Sequence, residues 1–204
     1  MKLLATFNYW EGEFLLKNSK ILNKEIIFKD KKQSSILYQL EFNDKRVLFA
    51  FLGMTQIFSM PSLQKIIDNN KIDSALVFGS AGSYECNIGK IVIINKFSYE
   101  NEILKKYFDL ETKLPVWYKK NLFSKIEIFK SISVNDIKKS DKDCQKICFD
   151  MESAEIAYLL KLNKINSSFF RIVTDKGDIN FEKMKYIYKS NTDMLLKIIE
   201  LFIG

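Results

Sequence analysis

The chain has 204 residues, 47% of them hydrophobic and 28% charged, which is the size and composition of one globular domain with its own core. Its formal net charge is +7, but the lysines are scattered in pairs among acidic and apolar residues, and the only arginines are Arg46 and Arg171. Because arginine is the usual reader of bases and phosphates, this charge does not indicate a nucleic-acid partner.

Residue types that are missing or rare restrict the chemistry further. Because the sequence has no histidine, Ser-His-Asp and Cys-His mechanisms are excluded, and carboxylates must carry most proton transfer in any enzyme built from it. Cys86, Cys144 and Cys148 have the spacing of neither a disulfide framework nor a zinc site. No apolar run reaches the roughly 20 residues of a membrane helix, and the N-terminus is typical of a buried strand rather than a signal peptide. We therefore expect a cytoplasmic protein with no metal, no other cofactor and no membrane partner.

Strand-like runs rich in Ile, Val and Phe alternate with helical patterns along the chain. The predicted strands are residues 3–7, 35–42, 46–51, 75–78, 90–94, 125–129, 146–149 and 169–174. The predicted helices are residues 55–69, 151–162 and 181–202. Strands alternating with helices are typical of an α/β fold, so we expect residues 1–204 to form a single domain with a central mixed β-sheet flanked by helices.

Residues 97–123 show no clear element but are dense in aromatic side chains. One interpretation is a satellite cluster packed under a long loop. The other is a lid or a subunit contact whose rings stack on a flat ligand. The sequence leaves both open.

Four polar or glycine-rich stretches lie at predicted strand ends, where α/β sheets bind their ligands. They are Trp10-Glu11-Gly12-Glu13, Gly79-Ser80-Ala81-Gly82, Phe149-Asp150-Met151-Glu152-Ser153 and Arg171-Ile172-Val173-Thr174-Asp175. Each alone has an ordinary explanation: solvated loop carboxylates, close packing at glycines, a carboxylate at a helix N-terminus, or a loop cap. The glycine stretch is predicted to be a sharp turn that something approaches closely.

In this order, the four stretches resemble the nucleoside phosphorylase superfamily, and within it the 5′-methylthioadenosine/S-adenosylhomocysteine nucleosidases. "NYWEGEFLL" is similar to the family's acidic loop after the first strand, with Glu13 as the best match and Glu11 as a close rival. "FGSAGSYECNIGKIVI" is similar to its Gly-Ser-Ala-Gly turn, although Lys90 stands where the family has aspartate. "FDMESAEIAYLL" is similar to its Met-Glu helix start, and "FFRIVTDKGD" to its Arg-x-x-Ser-Asp strand end with threonine for serine. The resemblance runs nearly end to end and implies a three-layer fold.

The resemblance also implies roles for single residues. Asp175 would protonate purine N7, while Glu13, or alternatively Glu11, would orient and deprotonate the attacking water. Glu152 would accept hydrogen bonds from the ribose hydroxyls, Met151 would pack on the sugar, and Arg171 would hold carboxylates in place. Glycine turns would line the same pocket, through Gly53, Ser80, Ala81 and Gly82.

The implied reaction is hydrolysis of a 5′-substituted adenosine to free base and sugar by a homodimer, with residues 97–123 as the candidate interface. Phosphorylases of the superfamily bind phosphate with several arginines, one of them just before the glycine turn. Because Phe78 stands there and Arg46 precedes a strand, water is favoured as the nucleophile.

One part of the chain departs from the family pattern. The stretch "KSISVNDIKKSDKDCQ" lacks the motif with which the family contacts the purine. A futalosine-type hydrolase, a purine nucleoside phosphorylase and a non-catalytic nucleoside-binding protein therefore stay open as alternatives.

Overall fold

The computed structural model describes residues 1–31, 33–100, 108–112, 126–134, 146–178 and 180–204. The strands in this part of the chain are β1 (Lys2–Thr6), β2 (Lys20–Lys29), β3 (Ser34–Phe42), β4 (Lys45–Phe51), β5 (Ser74–Gly82), β6 (Ile91–Glu100), β7 (Phe108–Glu111), β8 (Glu127–Val134), β9 (Ile147–Asp150) and β10 (Asn166–Asp175). The helices are α1 (Tyr9–Lys17), α2 (Gln56–Asn69), α3 (Ser153–Leu162), α4 (Phe181–Lys189) and α5 (Thr192–Ile203).

All ten of these strands belong to one mixed sheet, in the order β10-β6-β8-β9-β5-β1-β4-β3-β2, with β7 paired to β6. Strand β10 also pairs with β5, so β5, β9, β8, β6 and β10 close on themselves. Strands β4, β1, β5 and β10 are mutually parallel neighbours. Their carboxyl ends therefore meet at one edge of the sheet, where the segments that follow β1 and β4 also begin.

Helices cover both faces of this sheet. One apolar cluster combines Leu63 and Ile66 of α2 with Ala157 and Leu160 of α3 against the strands. A second cluster lies on the other face and takes its helical side chains from α1, α4 and α5. Because both faces are covered, the central strands are apolar throughout rather than alternating. The expected α/β fold with a mixed sheet and flanking helices is confirmed.

Four details of the sequence-based prediction are corrected. The residues after β1 form helix α1 instead of an acidic loop, and residues 79–82 continue strand β5 instead of forming a turn. Residues 181–202 form two helices, α4 and α5, which are separated by Ser190 and Asn191. Strands β2 and β7 were not predicted; β2 is an edge strand with mostly exposed side chains, so it lacks the apolar alternation that marks a buried strand.

The aromatic segment 97–123 lies largely outside the described residues. Of its aromatic side chains, Phe97 is fully buried and packs on Phe169 with ring centroids 4.7 Å apart, so it belongs to the core and not to an interface. Cys86 and Cys148 are buried free thiols, whereas Cys144 is outside the described ranges. No helix among the described residues has the length and apolarity needed to cross a membrane.

Candidate active site

Glu11 lies buried at the carboxyl end of β1, where α1 begins. Its side chain is 1% exposed. The carboxylate oxygen Oε2 accepts hydrogen bonds from Thr6 Oγ1 at 2.9 Å and from the Asn8 amide at 3.0 Å. The other oxygen, Oε1, accepts from both the amide and the hydroxyl of Ser80 at 2.7 Å. These donors hold the carboxyl group in one orientation against β5.

The structure places Glu13, the first choice from the sequence, in different surroundings from Glu11. The Glu13 side chain is 40% exposed, and its carboxylate pairs with Lys17 Nζ at 3.4 Å along the same helix. Two positions along an α-helix are about 200° apart around its axis, so one of the two glutamates faces the sheet and the other faces away. Glu11 is the residue that the fold directs to the site.

Gly79 provides the space that Glu11 occupies. A Cβ atom built on this glycine would lie 3.1 Å from Glu11 Oε1 and 3.3 Å from Arg171 Nη1. Such contacts are tighter than ordinary carbon packing. The first glycine of the stretch therefore serves close approach inside a strand, while Ala81 packs into one of the core clusters.

Arg171 is fully buried and pairs with Asp150. Its Nε donates to Asp150 Oδ2 at 3.1 Å, and its Nη2 donates to the hydroxyl of Ser153. Burial alone would raise the pKa of Asp150, but the Arg171 guanidinium and the hydrogen bonds from Ser153 outweigh it and hold that pKa below its usual range. Arg171 thus holds one carboxylate, Asp150, directly. Asp150 lies in one of the four quoted stretches, yet nothing in the sequence singled it out.

Glu152 is buried at the N-terminus of α3, beside the loop that follows β4. Its Oε1 accepts a hydrogen bond from the Thr55 amide at 3.0 Å. This loop turns at Gly53, which has a φ of +85°, a conformation that glycine adopts at little cost. Burial, reinforced by the Asp150 carboxylate, raises the pKa of Glu152 to about 8. The loop that turns at Gly53 thus reaches Glu152 through Thr55, a contact that no sequence signal indicated.

Met151 precedes Glu152 and is 38% exposed. The sequence-based expectation that it packs on the sugar stays a prediction.

Asp175 ends strand β10 directly beside Gly82, its partner in the β5–β10 register. Its Oδ1 accepts from the Gly177 amide at 2.8 Å, and the Thr174 hydroxyl lies 3.2 Å from Oδ2. A Cβ atom on Gly82 would lie 2.8 Å from Asp175 Oδ1. The same point lies 2.1 Å from Phe149 Cε2, so the glycine lets the Phe149 ring pack beside this carboxylate.

The fold thus gathers Glu11, Glu152 and Asp175 at the carboxyl ends of the sheet. Glu11 accepts from Ser80 of β5, and Asp175 lies beside Gly82, two residues further along the same strand. Two separate carboxyl groups suit a reaction in which one is a general acid and the other activates a water. Within the described ranges, no group of His, Cys, Asp or Glu side chains has an arrangement that could hold a metal ion.

Neither of the positions considered for phosphate binding supplies a cation to this edge. The Phe78 ring is buried and stacks on Phe49, with centroids 6.1 Å apart. Arg46 is exposed near the start of β4, at the opposite end of that strand from the site. Arg171 is already engaged with Asp150 and Ser153.

The fold is that of known nucleosidases. The chain is similar to the 5′-methylthioadenosine/S-adenosylhomocysteine nucleosidase of Neisseria meningitidis in complex with methylthio-immucillin-A, with a TM-score of 0.77, 17% identity and 97% of each chain covered. For the Helicobacter pylori enzyme of the same name, the TM-score is 0.77 and the identity 14%, with 98% of this chain and 97% of that chain covered. For the 5′-methylthioadenosine nucleosidase of Arabidopsis thaliana in its apo form, the TM-score is 0.75 and the identity 17%, with 100% of this chain and 95% of that chain covered. No protein-family model and no curated protein matches the sequence. These likenesses confirm the expected fold.

Proposed function

We propose that this protein is an N-glycosyl hydrolase that cleaves a 5′-substituted adenosine, of the methylthioadenosine or adenosylhomocysteine type, to free base and sugar. The observation that carries the proposal is the pair of buried, hydrogen-bonded carboxylates Glu11 and Asp175 on the two sides of β5. The solved structures with this fold support it, since those described above are nucleosidases of that substrate class.

Cleavage of an N-glycosidic bond leaves positive charge on the sugar and negative charge on the purine. Asp175 donates a proton to N7 of the purine, so that the base leaves as a neutral molecule. Its Oδ1 accepts a hydrogen bond from the Gly177 amide, which orients the carboxyl group. Asp175 is the proposed general acid.

Water attacks the anomeric carbon from the face opposite the leaving base. Glu11 orients this water and takes its proton, because its carboxylate is held in place by donors from Thr6, Asn8 and Ser80. Ser80 fixes the orientation of Glu11 through both its amide and its hydroxyl. In this proposal Glu11 takes over the role first expected of Glu13.

The ribose is bound by Glu152 with Met151 against the sugar. A buried carboxyl group with one oxygen accepting from the Thr55 amide keeps its second oxygen for a sugar hydroxyl. The raised pKa of Glu152 favours a neutral carboxyl group in the empty site, and hydroxyl donors would stabilise its ionised form. Substrate binding and deprotonation of Glu152 are therefore coupled.

The direct test is release of base from methylthioadenosine, adenosylhomocysteine, inosine and aminodeoxyfutalosine, with and without phosphate. The variants are Asp175→Asn, Glu11→Gln and the matched control Glu13→Gln on the same helix. We expect phosphate-independent release that drops at least about 100-fold in Asp175→Asn and Glu11→Gln and is unchanged in Glu13→Gln. Phosphate dependence would show a phosphorylase. Binding without release from any of the nucleosides would show a non-catalytic binding protein.

We also propose that the enzyme is a cytoplasmic homodimer acting in methionine salvage. The homodimer is what the family resemblance implies, and a substrate of the methylthioadenosine type would place the reaction in salvage. Light scattering coupled to size-exclusion chromatography measures the mass of the particle directly. A mass of one 23.9 kDa chain at micromolar concentration would contradict the dimer.

A further inference from the structure

Tyr188 is a buried titratable side chain that the scheme above does not use. Helix α4 is described along its whole length, and Tyr188 is its one buried side chain, 1% exposed. Its hydroxyl group has no hydrogen-bond partner among the described residues. A buried hydroxyl without a partner lowers stability, and phenylalanine would fill the same space without that cost. Packing alone therefore does not explain the hydroxyl.

The ring of Tyr188 packs on helix α1 next to Glu11. It meets the ring of Trp10, the residue before Glu11, edge to face, with centroids 5.2 Å apart and an angle of 87° between the planes. It also shares an apolar cluster with Phe14 and Leu15 of the same helix. Helices α1 and α4 thus meet at this ring, and Glu11 lies in the first turn of α1.

Two charged groups of the site act on the Tyr188 hydroxyl. Burial, followed by the Glu11 carboxylate, raises the pKa of Tyr188 well above its usual range, while the Arg171 guanidinium acts in the opposite direction. Glu11 and Arg171 are also the two groups that lie against Gly79 of β5. The phenol therefore stays protonated near neutral pH, and it is a hydrogen-bond donor in the neighbourhood of these two groups.

Glu11 has to lose one of its hydrogen bonds before it can take a proton from water. A carboxylate has about four acceptor positions. Those of Glu11 are filled by the amide and the hydroxyl of Ser80, the hydroxyl of Thr6 and the amide of Asn8. Because only the two hydroxyls can rotate away, one of them has to release the oxygen that receives the proton. The carboxyl group then loses one of the contacts that orient it.

We propose that Tyr188 is a positioning residue that acts through Glu11, and that its hydroxyl donates to the Glu11 carboxyl group when Thr6 or Ser80 releases it. Because the hydroxyl has no other partner among the described residues, the new contact breaks no existing hydrogen bond. The proton of the attacking water goes to Glu11, and Tyr188 keeps its own proton throughout. The hydroxyl thus destabilises the resting protein and stabilises the reacting one. This inference rests on the proposed hydrolase function and adds to it a residue of α4.

The test compares Tyr188→Phe, which removes only the hydroxyl, with Tyr186→Phe on the same helix, where the side chain is 76% exposed. Base release gives kcat and KM, and urea unfolding gives the midpoint concentration for the same preparations. We expect Tyr188→Phe to lower kcat about 10- to 100-fold, the effect of one hydrogen bond to a charged group, with KM within about threefold. Its urea midpoint stays at the wild-type value or rises. Tyr186→Phe keeps the wild-type values.

A second comparison shows whether the effect passes through Glu11. Tyr188→Phe is combined with Glu11→Gln, and kcat of the double variant is compared with kcat of Glu11→Gln alone. Because glutamine takes no proton from water, we expect the two values to agree within about twofold. A Tyr188→Phe effect as large as in the wild type would overturn the inference, since Tyr188 would then act on another group.

The remaining outcomes separate this inference from the function it rests on. Unchanged kcat in Tyr188→Phe, in a wild type that releases base, would overturn the inference and leave the hydrolase standing. A lower urea midpoint together with a lower kcat would also overturn it, since the hydroxyl would then be a structural contact. A wild type that releases base from no nucleoside would reject the hydrolase, and the inference with it.

Discussion

At the scale of single residues, the arrangement of the site depends on the lack of a side chain at Gly79. A Cβ atom on this residue would lie 3.1 Å from Glu11 Oε1 and 3.3 Å from Arg171 Nη1. The glycine thus lets the carboxylate reach the Ser80 amide without a tight contact. Its neighbours cannot retreat easily, since Arg171 is fully buried and fixed by Asp150 and Ser153.

We predict that Gly79→Ala lowers kcat about tenfold or more while the protein stays folded. The new methyl group would push the Glu11 carboxylate by a few tenths of an ångström, and misplacing a catalytic group costs far more rate than stability. Steady-state kinetics and urea unfolding of the same preparation measure both effects. Unchanged kcat would show that Glu11 does not act from the position seen here.

The buried pair of Arg171 and Asp150 leads to a second prediction at this scale. In Asp150→Asn the guanidinium loses its charge partner in the interior, so we expect the free energy of unfolding to fall by about 3–5 kcal/mol. Glu182→Gln, which removes the exposed partner of Lys185 on α4, is the control and should have little effect. Equal effects in the two variants would mean that the Arg171 pair is no more important than a surface contact.

At the scale of elements, strand β5 is the part of the molecule on which the site depends most. It carries the contacts of Glu11 at one point and those of Asp175 and Phe149 at another. Within the described part of the chain, its one register pair with β9 is Gly82 with Phe149. Strand β9 is thus joined to β5 at the same residue that lets Phe149 and Asp175 pack together.

We predict that Gly82→Ala is the most damaging single-methyl change in this strand. The added Cβ would overlap Phe149, so the ring must move and the β5–β9 contact opens, at a cost of about 1–3 kcal/mol in unfolding free energy. Unlike Gly79→Ala, the variant should lose stability and activity together. A stable but inactive Gly82→Ala protein would show that the Phe149 ring moves aside at no cost in unfolding free energy.

Helix α1 explains which part of the site the sequence could predict. The stretches that carry Glu152, Arg171 and Asp175 end buried apolar runs, so their place at the sheet edge follows from the pattern. The choice between Glu11 and Glu13 does not, because "NYWEGEFLL" has too few apolar residues before Phe14 to show a helical face. Once the helix is known, its period separates the two glutamates. Long-range contacts such as Thr55 with Glu152 have no local signal and need the fold.

At the scale of the whole molecule, the buried site should make stability depend on pH. In the folded protein the pKa of Glu152 is raised to about 8 from its ordinary value of 4.5, because the carboxyl group is buried. The folded state therefore keeps a proton that the unfolded chain releases, and the free energy of unfolding falls as pH rises between these two values. The fall is at most about 1.4 kcal/mol per pH unit. Asp150, whose pKa is lowered, acts in the opposite direction and only in the acid range.

We predict that Glu152→Gln removes this decrease in the free energy of unfolding with rising pH. Urea unfolding at pH 5.5, 7.0 and 8.5 should show wild-type stability decreasing relative to Glu152→Gln across the series, because glutamine has no proton to lose. Since a ribose hydroxyl favours the ionised carboxyl group, a bound substrate analogue should flatten the wild-type curve but leave the curve of the variant unchanged in shape. Parallel curves for the two proteins without ligand would mean that Glu152 is already ionised in the folded state. The proposed coupling between ribose binding and deprotonation would then be wrong, while the roles of Glu11 and Asp175 would be unaffected.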